Sequence, residues 1–357
     1  MVGWISSLSV ARLLAFVTLL GACASQPVRP TRAVPETVTL YRNHPTLRAS
    51  PAFSEQLFFY GRFDGGGSLY GRFLTTNLAG ASGQASVKLV ISLPGTRFQV
   101  SARLKEGDWR VAATGIDVRW KKGKILLNGG QGRIQCDSPK GRVDITFRWR
   151  SKPLRPKSGN LYVGRGRHIH TVLLVPRGEM RLTLHQKGDS APRRAEGVIF
   201  VEQRATNIAP FDFARSFVQL RSFQPTGTLV FGGFGMLERY GGGFNAWLLW
   251  APKQGKPVLY SPVTVRVAST YSHRESGYVI PTSLIIQPPG TRMALAIKTP
   301  PPTKHINDLK RLSTAERLVV SMLMKPWTFR SHGRYRFLGP GLRIDGAAHV
   351  TFQQIQR

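Results

Sequence analysis

The chain is poor in cysteine and in acidic residues: its 357 residues hold two Cys, and 18 Asp and Glu against 51 Lys and Arg. Two cysteines, Cys23 and Cys136, exclude a disulfide framework and zinc sites built on paired cysteines, so the fold must rest on an apolar core. The sequence holds no Gly-rich nucleotide loop in a strand–turn–helix setting, no GxSxG elbow and no His-rich metal motif. No cofactor and no metal are therefore expected. The eight His are scattered; "HIH" places His168 and His170 on one side of a strand, but with no third ligand at readable spacing the pair reads as solvent-facing.

Apolar residues make up 41% of the chain, and their spread along its length argues against the disorder that a formal charge of +33 would otherwise suggest. On an exported protein such a charge attracts anionic head groups, lipopolysaccharide phosphates or acidic polymers, within a screening length of about 10 Å at moderate salt. It also fits a surface adapted to acidic surroundings, with few carboxylates to lose their partners on protonation. Both readings stand.

Residues 1–22 read as an export signal. Arg12 and the amino terminus supply the positive start, and Leu13 to Ala22, "LLAFVTLLGA", is too short to span a bilayer. Leu20-Gly21-Ala22-Cys23 resembles the bacterial lipobox, which implies a diacylglyceryl group on the Cys23 thiol; the alternative is a plain signal cut near "ACA". Ala24, rather than Asp, follows the cysteine and favours an outer-membrane lipoprotein, facing the periplasm. Residues 23–52, with "SQPVRPTRAVPETV", form a polar, Pro-rich tether.

Beyond the tether a period of two dominates. In "RVDITFRWRS" Val143, Ile145, Phe147 and Trp149 alternate with Asp144, Thr146, Arg148 and Arg150, the pattern of a strand with one buried face. "KEGD", "KKGK", "NGGQG" and "SPKG" recur about every ten residues between 105 and 141, which favours an all-β antiparallel meander closing into a barrel or sandwich. One short helix is expected near 314–324, where Ser313 and Glu316 form a capping box ahead of an apolar stripe from Leu318 to Leu323. "QLFFYGRFDGGGSLYGRFLTTN", Gln56 to Asn77, reads as a hairpin about the glycines, with strands near 57–63 and 68–75. Its interleaved Tyr, Arg and Phe also suit nucleic acid, a partner not expected outside the cell.

"SEQLFFYGRFDGGGSLYGRFLTTN" and "RAEGVIFVEQRATNIAPFDFARSFVQLRSFQ" resemble the lipocalin-like double-barrel proteins of the fungal survival-factor type, whose relatives include carotenoid hydratases and tocopherol cyclases. The resemblance, which rests on Gly197, Phe200, Pro210, Ala214, Arg215, Phe217 and Arg221, covers about residues 53–290 loosely. It implies two lipocalin-like antiparallel barrels packed together, placed here at 53–190 and 191–357, with a cavity for a lipid, isoprenoid or similar ligand.

Phe200, Arg215, Phe217, Arg221, Phe234, Trp247 and Trp250 are the candidate ligand-binding residues, though aromatic strand residues more often pack as plain core. In the hydratase branch an Asp-His pair acts on an alkene; the matching positions here are Glu202 and Gln203. Glu202 is the candidate acid, but Gln203 cannot relay a proton, and a structural salt bridge of Glu202 with Arg204, or Asp212 with Arg215, is an equal reading. Three functions follow: a membrane-anchored carrier of a hydrophobic ligand, a cofactor-free hydratase, cyclase or isomerase, or a basic envelope scaffold without ligand.

Overall fold

The computed structural model describes residues 50–77, 83–113, 115–162, 167–311, 325–339 and 342–355. Cys23, residues 1–49 of the signal and tether, and the expected helix near 314–324 lie outside the described residues. No described helix is long and apolar enough to cross a membrane.

Twelve strands make one sheet: β1 (Ser54–Phe63), β2 (Ser68–Thr76), β3 (Gln84–Leu93), β4 (Thr96–Leu104), β5 (Trp109–Val111), β6 (Ile116–Trp120), β7 (Gly123–Asn128), β8 (Gln131–Ser138), β9 (Gly141–Arg148), β10 (Leu161–Tyr162), β11 (His168–Gln186) and β12 (Arg193–Thr206). Nine make the other: β13 (Ala214–Gln224), β14 (Gly227–Met236), β15 (Phe244–Pro252), β16 (Val258–Ser272), β17 (Val279–Gln287), β18 (Ala294–Lys298), β19 (Lys304–Asn307), β20 (Trp327–Gly339) and β21 (Leu342–Gln354). The protein is nearly all β, as its period of two predicts.

The first sheet runs β4-β3-β2-β1-β12-β11-β9-β8-β7-β6-β5, with β10 beside β11, and curls until it is nearly closed. Across the gap Trp109 Nε1 donates to the Gly83 carbonyl at 3.1 Å, and the Trp109 ring meets Phe73 edge-on at 5.3 Å. The second sheet closes outright, because β18 pairs with both β17 and β20. The resulting barrel has eight strands, β13 to β18 with β20 and β21, a number whose interior either fills with side chains or holds one small ligand.

The hairpin of the doubled "YGRF" is present, with Tyr60 opposite Tyr70 in antiparallel register. Alternation then sorts its residues: Phe59, Phe63 and Phe73 enter the first core, while Tyr60, Tyr70, Arg62 and Arg72 take the other face. In β9, likewise, Val143, Ile145 and Phe147 are buried in that core. Each such Phe contributes roughly 1.5–3 kcal/mol by leaving water.

The division between the barrels falls later than the expected 190/191 boundary. β12 pairs with β1 on one side and β11 on the other, so it belongs to the first sheet, and the chain crosses over only at 207–213, through the short helix α1 (Pro210–Phe213). Periodicity fixes which face of a strand is buried but carries no information about its partners.

The barrels pack wall to wall. Ile199 and Val201 of β12 face the first core, whereas Phe200 between them packs with Leu173, Val230, Trp247, Leu249 and Ala251. All ten residues of β14 are buried, since one face lines the second core and the other meets the first barrel. Gly232 is required there: a Cβ at this position would lie 2.6 Å from Cζ2 of Trp247.

Candidate functional site between the barrels

Glu202 sits on the β12 face that looks toward the second barrel and is fully buried. Its Oε1 accepts a hydrogen bond from Arg204 Nε, two residues along the same strand, and its Oε2 lies 4.0 Å from Nη2 of Arg221 on β13. The salt-bridge reading of Glu202 is thus realised, with a second guanidinium added from the other barrel. Arg221 in turn donates to Gln219 Oε1 and covers the Tyr60 ring, 3.4 Å from its centroid. Burial draws the Arg221 guanidinium below its ordinary pKa, while Tyr60 and Glu202 act in the opposite sense. Burial also pushes the Tyr60 phenol up to about 12, so it remains a neutral hydroxyl at any physiological pH.

Aromatic rings wall this cluster. Phe58 stacks on Tyr60 at 5.8 Å, Tyr60 meets Tyr70 at 5.6 Å and Phe200 at 6.5 Å, and Arg204 lies over Phe58. Within it, Glu202 Oε2, Arg221 Nε, Gln219 Nε2 and Arg72 Nε are buried without a hydrogen-bond partner in the protein. Buried polar atoms are rarely left so, and four of them gather here on the facing walls.

Gln203, the neighbour of Glu202, points the opposite way and donates to Glu55 Oε1 at 2.7 Å. The two residues matched to the hydratase pair therefore lie on opposite faces of one strand and cannot act on one substrate atom together.

The other candidates divide into three groups. Phe200, Arg221 and Trp247 join Glu202 on the inter-barrel face. Phe217 and Phe234 meet edge-to-face at 5.2 Å further along that face, with Phe213 against both, and Trp250 packs inside the second barrel 5.9 Å from Phe337. Arg215 stands apart, 3.5 Å from Glu238, while Asp212 has Arg239 at 4.0 Å rather than Arg215.

Arg215 also borders a cavity of about 460 Å³ at the mouth of the second barrel, lined by Val218, Phe244, Val267, Tyr278, Val279 and Phe352. Sequence reading missed these lining residues, because a strand pattern does not say which barrel end stays open. His168 and His170 are corrected: they are buried, not solvent-facing, with rings 4.5 Å apart and His170 Nδ1 3.1 Å from Asn160 Oδ1.

Solved structures share this architecture. An AttH-like protein from Nitrosomonas europaea aligns with a TM-score of 0.56 at 12% identity, over 92% of this chain and 98% of its own. The fold is a lipocalin-like double barrel. Kievitone hydratase from Nectria haematococca aligns at 0.54 and 11% identity over 92% and 96%, and CghA with Sch210972 at 0.56 and 13% over 93% and 96%. At these identities the likeness is one of fold. No family profile matches the chain, and no curated protein does.

Proposed function

We propose that this protein is an envelope lipoprotein, anchored at Cys23 to the outer membrane, that binds or carries a hydrophobic ligand in the second barrel. The observation supporting this reading is the apolar cavity at the barrel mouth, whose volume of about 460 Å³ suits a lipid tail or isoprenoid segment and whose cationic lining residue is Arg215. An apolar body would occupy the barrel while a carboxylate, phosphate or carbonyl end meets Arg215. Native mass spectrometry of the gently extracted protein tests it: a co-purified lipid or isoprenoid is the expected result. An empty protein, with no lipid taken up on incubation, would overturn it in favour of a scaffold role.

A cofactor-free hydratase or cyclase is the second reading, favoured by the buried Glu202, whose Oε2 accepts no hydrogen bond from the protein, and by the likeness of fold to kievitone hydratase. In that reading Glu202 serves as the acid between the barrels, and Glu202→Gln abolishes turnover while leaving ligand affinity within a few-fold. In the carrier reading the same substitution leaves ligand uptake unchanged.

A further inference from the structure

The hairpin between β16 and β17 brings together residues that the chain separates. His273 and Glu275 lie in its turn, and His305 arrives from β19, some thirty residues later. One donor atom from each of the three lies within 4.8 Å of the other two.

His273 is held in place before any ligand arrives. It is buried, with its ring 5.3 Å from Trp327 and 5.1 Å from Phe329. Its backbone closes the turn, the His273 N–H donating to the Tyr278 carbonyl at 2.9 Å and the Gly277 N–H donating to the His273 carbonyl at 2.8 Å. Its Nδ1 is 2.9 Å from Ser276 Oγ, which leaves Nε2 as the ligating atom and supplies the outer hydrogen bond that orients a metal-bound imidazole. The Ser276 N–H, 3.3 Å from the same nitrogen, is the weaker contact, given up when Nδ1 carries the proton.

The spacing of the other two donors is informative. His305 Nε2 and Glu275 Oε2 are 3.7 Å apart, too far for a hydrogen bond. It is near the separation of about 3.3 Å that two donors keep across a tetrahedral zinc ion. Glu275 divides its oxygens: Oε1 has Lys310 Nζ at 3.8 Å, and Oε2 faces the imidazole. His305 and Glu275 are about half exposed, so neither side chain is locked by packing and both can adjust as an ion binds.

We propose that His273, Glu275 and His305 form a binding site for a divalent transition-metal ion of the zinc class, with water in the fourth position. Two imidazoles and one carboxylate are a donor set suited to zinc, and the arrangement leaves one coordination place open to solvent. The same turn carries Gly277 and Tyr278, which line the mouth of the apolar cavity. Metal binding therefore ties the cavity rim to β19. The site stands whether or not the barrel carries a lipid.

The test is calorimetric titration of the full chain, stripped with chelator, with Zn2+ and separately with Co2+. One zinc per chain in the low micromolar range or tighter is expected, weakened at least about tenfold by either His305→Ala or Glu275→Gln, both changes at exposed side chains that leave the fold intact. His185→Ala, at an exposed position away from the cluster, should leave binding unchanged, and Lys310→Ala should tighten it. Bound Co2+ should show the intense visible bands of a four-coordinate site. Absence of saturable binding overturns the proposal, as does zinc binding that His305→Ala and Glu275→Gln leave unaltered, which would move the ion elsewhere, for instance to His168 and His170.

Discussion

Arg221, from the second barrel, lays its guanidinium 3.4 Å over the ring of Tyr60, from the first. The contact joins the two walls at the point where Glu202 is buried, and it places a desolvated cation on an aromatic face, worth about 2 kcal/mol in such surroundings. It also explains the doubled "YGRF". The Gly and Phe of each copy serve the first core, and the Tyr and Arg face outward, where one of them supplies the seat for Arg221.

Removing that cation should be costly in a specific way. Arg221→Leu leaves Glu202 buried with Arg204 alone, and the expected loss is on the order of 3 kcal/mol in urea unfolding. The double variant Arg221→Leu/Glu202→Gln should recover a substantial part of it, because the uncompensated charge disappears with its partner. Equal losses in the single and double variants would mean that the aromatic contact, and not the carboxylate, carries the effect.

His170 gives the pH dependence. Burial, then His168 and Arg155, lower its pKa from about 6.5 to about 3. Between those values the unfolded chain binds a proton that the folded chain does not, so the stabilisation is complete above pH 6.5 and is lost as pH falls toward 3. Melting at pH 7 and at pH 5 should show a loss of up to about 1.4 kcal/mol per pH unit from this group. His170→Gln should flatten that part of the profile; an unchanged slope would remove His170 from the acid response.

Much of the fold is legible in the chain. Alternation in Val143, Ile145 and Phe147, the turn residues, and the glycines between the "YGRF" copies all act locally, and the structure follows them. What remained hidden is pairing between distant strands. β12 looks like the opening strand of a new barrel because a turn precedes it, yet its hydrogen bonds return to β1, about 140 residues earlier. The two-sided burial of β14 was visible only as an apolar run, and the grouping of Glu202 with Arg221 requires knowing which outer walls meet. Cys136 was legible only as a lone cysteine; burial, then Asp137, raise its thiol to about 11.

Gly232 tests the wall-to-wall packing. Gly232→Ala drives a methyl group to within 2.6 Å of the Trp247 ring, in the layer where the two barrels meet. A destabilisation of roughly 1–3 kcal/mol is expected, with the Trp fluorescence maximum shifting to longer wavelength as the ring is displaced. Gly232→Ala combined with Trp247→Leu should be less than additive. Strict additivity would show that the two residues do not press on each other.

The charge imbalance leads to the last expectation. A broad groove of about 1480 Å³ beside the barrel junction is lined by Arg62, Arg133, Arg148, Arg177, Arg181 and Lys253 against Asp64, Glu179 and Glu196. Several of these cations are already engaged: Arg177 donates to Thr228 Oγ1 at 2.9 Å, Arg133 pairs with Asp144, and Arg181 with Glu196 at 3.0 Å. Arg148 and Lys253 are therefore the informative pair to change. With the Cys23→Ala chain, which should leave the membrane fraction if the cysteine carries the anchor, binding to anionic vesicles is expected to weaken at least about tenfold between low and high salt, as the screening length shrinks from about 30 Å to about 3 Å. Arg148→Ala/Lys253→Ala should weaken binding further at low salt and leave neutral vesicles indifferent. Salt-independent binding would instead assign membrane attraction to the apolar cavity, and the excess charge would then be a property of the surface as a whole, spread to suit its surroundings and not gathered to grip a partner.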